Sequence, residues 1–161
     1  MDDSIRALTA KDEPIVWTFL MYAAHETSLE LVQKQPYLAR YAQNWSRAGD
    51  MGYAAYRDGA AIGAAWLRLW CGEDRGFGYV DSTIPELAMA VLPSYRRLGI
   101  GTQLLLHLID AARNIFPGVS LNVRADNPAV ILYQRVGFIK VEGSEVVNRT
   151  GGTSFNMLCM F

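Results

Sequence analysis

The stretch "ELAMAVLPSYRRLGIGTQLLLHLIDAARNI", Glu86–Ile115, constrains the fold more than any other part of this chain. A strand-like apolar run, with Leu87, Met89 and Val91 on one face, meets Pro93, two adjacent arginines and Gly99-Ile100-Gly101. A helical pattern follows at once, with Leu104, Leu105, Leu108, Ile109 and Ala112 on one stripe. The next segment, "VSLNVRA", reads as another strand. A strand, a helix and a strand in this order imply a parallel pair joined by a right-handed crossover.

The flanking segments add antiparallel structure. "SIRALT" reads as a first strand, and Thr9 can cap the helix of "AKDEPIVWTFLMYAAHE". "SLELVQKQPYLARYAQNW" is a second helical region, interrupted at Pro36. Asp58-Gly59 between two apolar runs is a hairpin signal. "CGEDRGFGY" reads as a loop, and "NPAVILYQRV" as a short helix closed by Gly137. "FIKVEG" and "SFNMLCMF" finish the chain as an antiparallel hairpin around "NRTGG". The sum is an α/β domain over residues 1–161. Its mixed, mostly antiparallel central sheet carries helices on both faces.

Composition narrows the function classes. The formal net charge of −1 advertises no polyanionic partner such as nucleic acid. The longest apolar run, Ile15–Ala24, is shorter than the ~20 residues a bilayer span needs, so no membrane partner is expected. The start "MDDSIRALT" carries no apolar signal-peptide core, and Cys71 and Cys159 read as reduced thiols; both point to a cytoplasmic protein. His25 and His107 stand alone, so no metal site is expected.

Four readings compete for "RRLGIG". Glycines can simply serve a tight turn. A dinucleotide fingerprint needs a small residue where Leu104 stands, and a triphosphate loop needs a lysine before Thr102. The fourth reading takes Arg96-x-x-Gly99-x-Gly101 together with "DNPAVILYQRVGF", and with these two motifs the chain resembles the GCN5-related N-acetyltransferase (GNAT) family. That resemblance implies the acyl-CoA N-acyltransferase fold, with its parallel strand pair splayed. It also implies acetyl-CoA as co-substrate and transfer of an acetyl group to a primary amine of a small molecule or peptide. A homodimer is a family-level expectation. The rival is a non-catalytic acyl-CoA sensor or regulatory module on the same fold.

A helix start leaves N–H groups unpaired and carries partial positive charge, and glycines let an anion approach them. The resemblance implies that the backbone of Arg97, Leu98, Gly99, Ile100, Gly101 and Thr102 binds the coenzyme pyrophosphate. Arg97 adds charge there, whereas Arg96 can equally brace the turn. The backbone of Met89, Ala90 and Val91 is expected to pair with the pantetheine arm, and an N–H near Met89 or Val91 to meet the oxyanion. Asn127 either starts its helix or contacts pantetheine amides, the two roles competing for one side chain. Tyr133 reads as a core residue, and the resemblance implies instead the acid that protonates the departing thiolate. Glu86 is the candidate base, acting through water, with a solvent-facing strand-end carboxylate as its plain alternative. Asp81 or water are the other bases, since "SLNVRA" offers only Asn122.

Overall fold

The computed structural model describes residues 3–161; Met1 and Asp2, at the head of the acidic start read above, lie outside the described residues. Strands β1 (Asp3–Ala7), β2 (Met51–Arg57), β3 (Ala60–Arg68), β4 (Glu86–Val91), β5 (Gly118–Arg124), β6 (Ile139–Lys140), β7 (Val146–Val147) and β8 (Thr153–Met160) alternate with helices. The helices are α1 (Glu13–Ala23), α2 (Leu29–Gln33), α3 (Pro36–Ala39), α4 (Ile100–Ala112) and α5 (Ala129–Val136). The strands form one mixed sheet in the order β1-β2-β3-β4-β5-β8-β6, with β7 also paired to β8. Among the described residues β4–β5 is the parallel pair. The chain divides into two compact units, Met1–Arg68 with Ala88–Asp110, and Leu69–Leu87 with Ala111–Phe161.

In the first unit the β2–β3 hairpin turns at Asp58 (φ 53°) and Gly59 (φ 81°), the doubly left-handed turn that matches strand twist. Residues three apart on a strand face opposite ways. Trp66 on β3 donates Nε1 to Tyr41 O at 2.9 Å, beyond α3. Gly63, on the other face, lies under Leu104 of α4, whose Cδ1 would sit 3.1 Å from a Cβ built there. Helices therefore cover both faces of this unit. The expected stripe of α4 is buried at all five positions. Thr9 and Asp12 form a reciprocal cap at the start of α1, as the sequence suggested, although the first turn is a 3-10 helix. Pro36 splits the second helical region, opening α3 where α2 has ended.

A buried ion pair ties the loop after α3 to β3. Arg68 bonds Asp50 through Nε (3.1 Å) and a terminal nitrogen (2.8 Å), both side chains only 1% exposed. Arg68 also donates to Arg40 O and Gln43 O, while Asp50 accepts the Ser46 and Arg47 N–H groups. Every charge-bearing atom is thereby bonded, the condition for burying such a pair.

In the second unit β5 and β8 pair along seven residues, Gly118↔Met160 to Arg124↔Ser154, and β6 and β7 each add two residues to the far side of β8. The ending is thus three strands where the sequence suggested two, because two-residue β7 is too short to show an alternating pattern. The β4–β5 ladder has two pairs, Glu86↔Ser120 and Leu87↔Leu121, although each strand runs on past it.

Candidate functional site

The turn into α4 lies in the first unit. Leu92 N donates to Ile62 O at 2.9 Å, and a 3-10 turn over Pro93–Tyr95 follows. Arg96 is extended, Arg97 is left-handed (φ 65°) and Gly99 is left-handed (φ 83°). Left-handed residues in such close succession belong to the main-chain concavities that gather N–H groups around anions. Gln103 N closes onto Gly99 O at 3.1 Å, so Gly99 is the cap, and the N–H groups of Ile100, Gly101 and Thr102 precede the helical ladder. A Cβ on Gly99 would meet nothing within 4 Å, so the main chain is bare there. Ile100 anchors the turn by burying its side chain, whereas Arg97, Leu98 and Thr102 are exposed. A non-glycine residue held left-handed costs about 1–2 kcal/mol, a strain that structures retain mainly at functional turns.

The two arginines separate. Arg96 donates Nε to Val91 O at 3.0 Å and braces the end of β4. Arg97 carries its charge into solvent beside the turn.

On β4 the main chain alternates. Leu92 faces β3, and by the same parity so does Ala90, whose O lies 3.3 Å from a Cβ built on Gly63. Met89 and Val91 therefore turn their main-chain groups away from β3. The ladder on that side covers only Glu86 and Leu87. With Val91 O taken by Arg96, the Met89 N–H and C=O and the Val91 N–H have no ladder partner among the described residues. This is a strand edge able to receive an extended chain.

The other expected residues lie in the second unit. Glu86 is 3% exposed and accepts Trp70 Nε1 on Oε1 at 2.9 Å, which overturns the solvent-facing alternative. The cause is the connection over residues 69–85, which folds back onto the sheet. A Cβ on Gly78 would stand 2.8 Å from Glu86 Cδ and 2.7 Å from Leu121 C, so only glycine allows this approach. Trp70 and Gly78 escape sequence reading because neither carries a signal beyond a strand end and a loop glycine. Asn127 uses Oδ1 to accept Ala129 N at 2.9 Å, so its helix-starting role is present. Tyr133 is buried, stacks edge-on to Phe138 at 5.8 Å, and burial pushes its phenol up to about 12. Gly137 ends α5 in the left-handed conformation expected of it (φ 119°).

Asp81 is exposed, and hydrogen bonds from the Thr83 side chain and backbone hold its carboxyl below the usual range. Asn122 is occupied with Asn156, Nδ2 to Oδ1, at 3.0 Å. His107 bonds Gln103 O through Nδ1 and leans on Tyr53. Cys71 and Cys159 are free thiols, the second buried with its pKa raised by that burial. Among the described residues no three His, Cys, Asp or Glu side chains gather as metal ligands, and no helix is long and apolar enough to cross a membrane.

The model of the acetyltransferase (GNAT) family matches residues 17–138. An N-alpha-acetyltransferase of Sulfurisphaera tokodaii is 44% identical over 100 residues, covering 56% of this chain and 57% of that protein. The chain spans about three fifths of the length of that protein and of the N-alpha-acetyltransferase 50 of Danio rerio. Among solved structures, ribosomal-protein-alanine N-acetyltransferase of Brucella melitensis superposes with a TM-score of 0.71 at 24% identity, over 98% of this chain and 99% of that one. The structure of yncA from Salmonella typhimurium, solved with its cofactor acetyl-CoA, gives 0.72 at 19% identity over 99% and 94%. At these identities the structural likeness establishes the fold.

Proposed function

We propose, from the premise that this chain belongs to the acetyltransferase (GNAT) family, that it moves an acetyl group from acetyl-CoA to a primary amine. The observation that carries this reading is the bare, left-handed turn from Arg97 to Thr102, which offers unpaired N–H groups at the head of α4. Those amides, with Arg97 beside them, would hold the pyrophosphate. The Met89 N–H and C=O and the Val91 N–H would pair with the pantetheine arm, and one of these N–H groups would meet the carbonyl oxygen as it gains charge. Ala90, between them, belongs to the β3 side. Asn127 retains its Nδ2 for a pantetheine carbonyl while Oδ1 caps α5.

Bound acetyl-CoA supplies an activated thioester. The chain's task is then to aim it, to support developing charge and to manage two protons. Tyr133, with its phenol raised to about 12, remains protonated at neutral pH and donates to the departing thiolate. Full transfer to a thiol of pKa about 8.5 is uphill by roughly 5 kcal/mol, so the phenol acts as a hydrogen-bond donor and the thiolate equilibrates with solvent. Glu86 accepts the amine proton through water.

The acceptor follows from the weakness of the available bases. Neutralising a lysine-type amine at pH 7 costs roughly 4–5 kcal/mol, against about 1 kcal/mol for an α-amine of pKa near 8. An ordinary carboxyl of pKa about 4.3 lies far below either amine, and hydrogen bonds hold the exposed Asp81 carboxyl below even its usual range. An α-amine, as at a peptide N-terminus, is therefore the acceptor that these residues suit. The relative named N-alpha-acetyltransferase agrees with that class.

Thiol release is the test, measured with peptides bearing either a free α-amine or a blocked N-terminus and a free lysine. The reading expects release with the first set and little with the second. Binding of acetyl-CoA without release on any amine would overturn it in favour of a sensor.

A further inference from the structure

One buried side-chain polar atom in the second unit has no partner. Ser120 is fully buried on β5, and among the described residues its Oγ is the buried side-chain atom without a hydrogen bond. Leaving such a group unpaired is costly, so its placement calls for a reason. Ser120 is the register partner of Glu86 in the parallel ladder. Partners in register send their side chains to the same face from strands about 4.8 Å apart. Glu86 is itself buried and takes Trp70 Nε1 on Oε1. Gly78 brings the 69–85 connection over the same spot, close to the Glu86 carboxyl and to the Leu121–Asn122 main chain. A hydroxyl and a carboxylate thus share a face in a secluded place without bonding each other. Buried waters in proteins typically serve polar groups of this kind that the chain leaves unsatisfied.

We propose that Ser120 is a positioning residue for Glu86: its hydroxyl and the Glu86 carboxylate hold one internal water between them. This rests on the reading of Glu86 as the proton acceptor and supplies the water through which it acts. That water is the inner end of the relay: as it takes a proton from the acceptor side it passes one of its own to the carboxylate, so O–H bonds exchange and nothing else changes. The water then adds a bond to a carboxylate that Trp70 also holds.

The test uses nuclear magnetic resonance on the full chain, with Ser120→Ala and Ser120→Thr beside the wild type. Wild-type protein is expected to show a long-lived water NOE at the Ser120 side-chain protons. Ser120→Ala loses it and shifts the Trp70 indole N–H signal, and Ser120→Thr, which keeps the hydroxyl, restores both. In turnover, Ser120→Ala lowers kcat roughly tenfold, less than the ~100-fold or more expected for losing an acid or base outright, because Glu86 itself remains. KM for acetyl-CoA is unchanged, and Thr recovers the loss. Absence of the water NOE in the wild type, or a Trp70 signal that Ser120→Ala leaves in place, overturns the proposal. Spectral changes with turnover unaltered uphold the water site and instead remove Glu86 from the proton path.

Discussion

Gly99→Ala and Gly59→Ala form a matched pair of perturbations. Both glycines are left-handed, with φ of 83° and 81°, and at both a Cβ would meet nothing within 4 Å. Backbone strain is therefore equal, about 1–2 kcal/mol for an L-residue in this region. At about 2–4 °C per kcal/mol for a chain of this size, each variant should melt roughly 2–8 °C lower than the wild type. Their effects on the coenzyme should differ. At Gly59 the methyl group enters solvent beside a hairpin, whereas at Gly99 it fills the open space next to the amides of residues 100–102. Loss of one charge-assisted hydrogen bond there costs about 1.5–3 kcal/mol, a weakening of roughly 10- to 100-fold in Kd. Differential scanning calorimetry gives the first quantity and isothermal titration with acetyl-CoA the second. Equal Kd values for the two variants would refute the assignment of the turn as the pyrophosphate site.

Two further predictions concern buried ionisable groups. Asp50→Ala leaves the Arg68 guanidinium buried with only the Arg40 and Gln43 carbonyls, and should cost about 3–5 kcal/mol in urea unfolding. Asp50→Ala with Arg68→Met should recover much of that, because no uncompensated charge remains. For Tyr133, burial raises the folded-state pKa to about 12, above the unfolded value of about 10. The folded chain keeps its proton longer, so stability is full below pH ~10 and falls by about 3 kcal/mol as pH rises toward ~12. Tyr133→Phe should flatten that decline in alkaline unfolding curves, and should lower kcat while leaving acetyl-CoA binding near the wild-type value.

Local signals carried most of the fold. The α4 stripe buries as a helical period demands, the Asp58-Gly59 turn is doubly left-handed, and Gly137 closes α5. Each is a property of residues adjacent in sequence. The glycine turn was legible in the same measure: it and its helix stand where the motif put them. What the sequence could not disclose depends on distant segments meeting. Glu86 is buried because the 69–85 connection returns over it with a glycine at the contact, and no pattern near Glu86 announces that return. Arg96 and Arg97 are identical as letters, yet the extended one braces Val91 O while the left-handed one lies beside the turn. Arg68, at the end of β3, is enclosed by Asp50 and by two carbonyls from residues 40 and 43, partners that no pattern near Arg68 announces.

The most direct measurement compares calorimetric binding of acetyl-CoA with that of acetyl-pantetheine, which keeps the thioester arm and lacks the diphosphate and its nucleoside, with 3′-phosphoadenosine alone as the control for the latter. If the amides of residues 97–102 grip the diphosphate, acetyl-CoA binds and acetyl-pantetheine binds at least about 100-fold more weakly, the worth of two charge-assisted hydrogen bonds at the low end of their range. Equal affinities, or no heat with acetyl-CoA, would contradict the account.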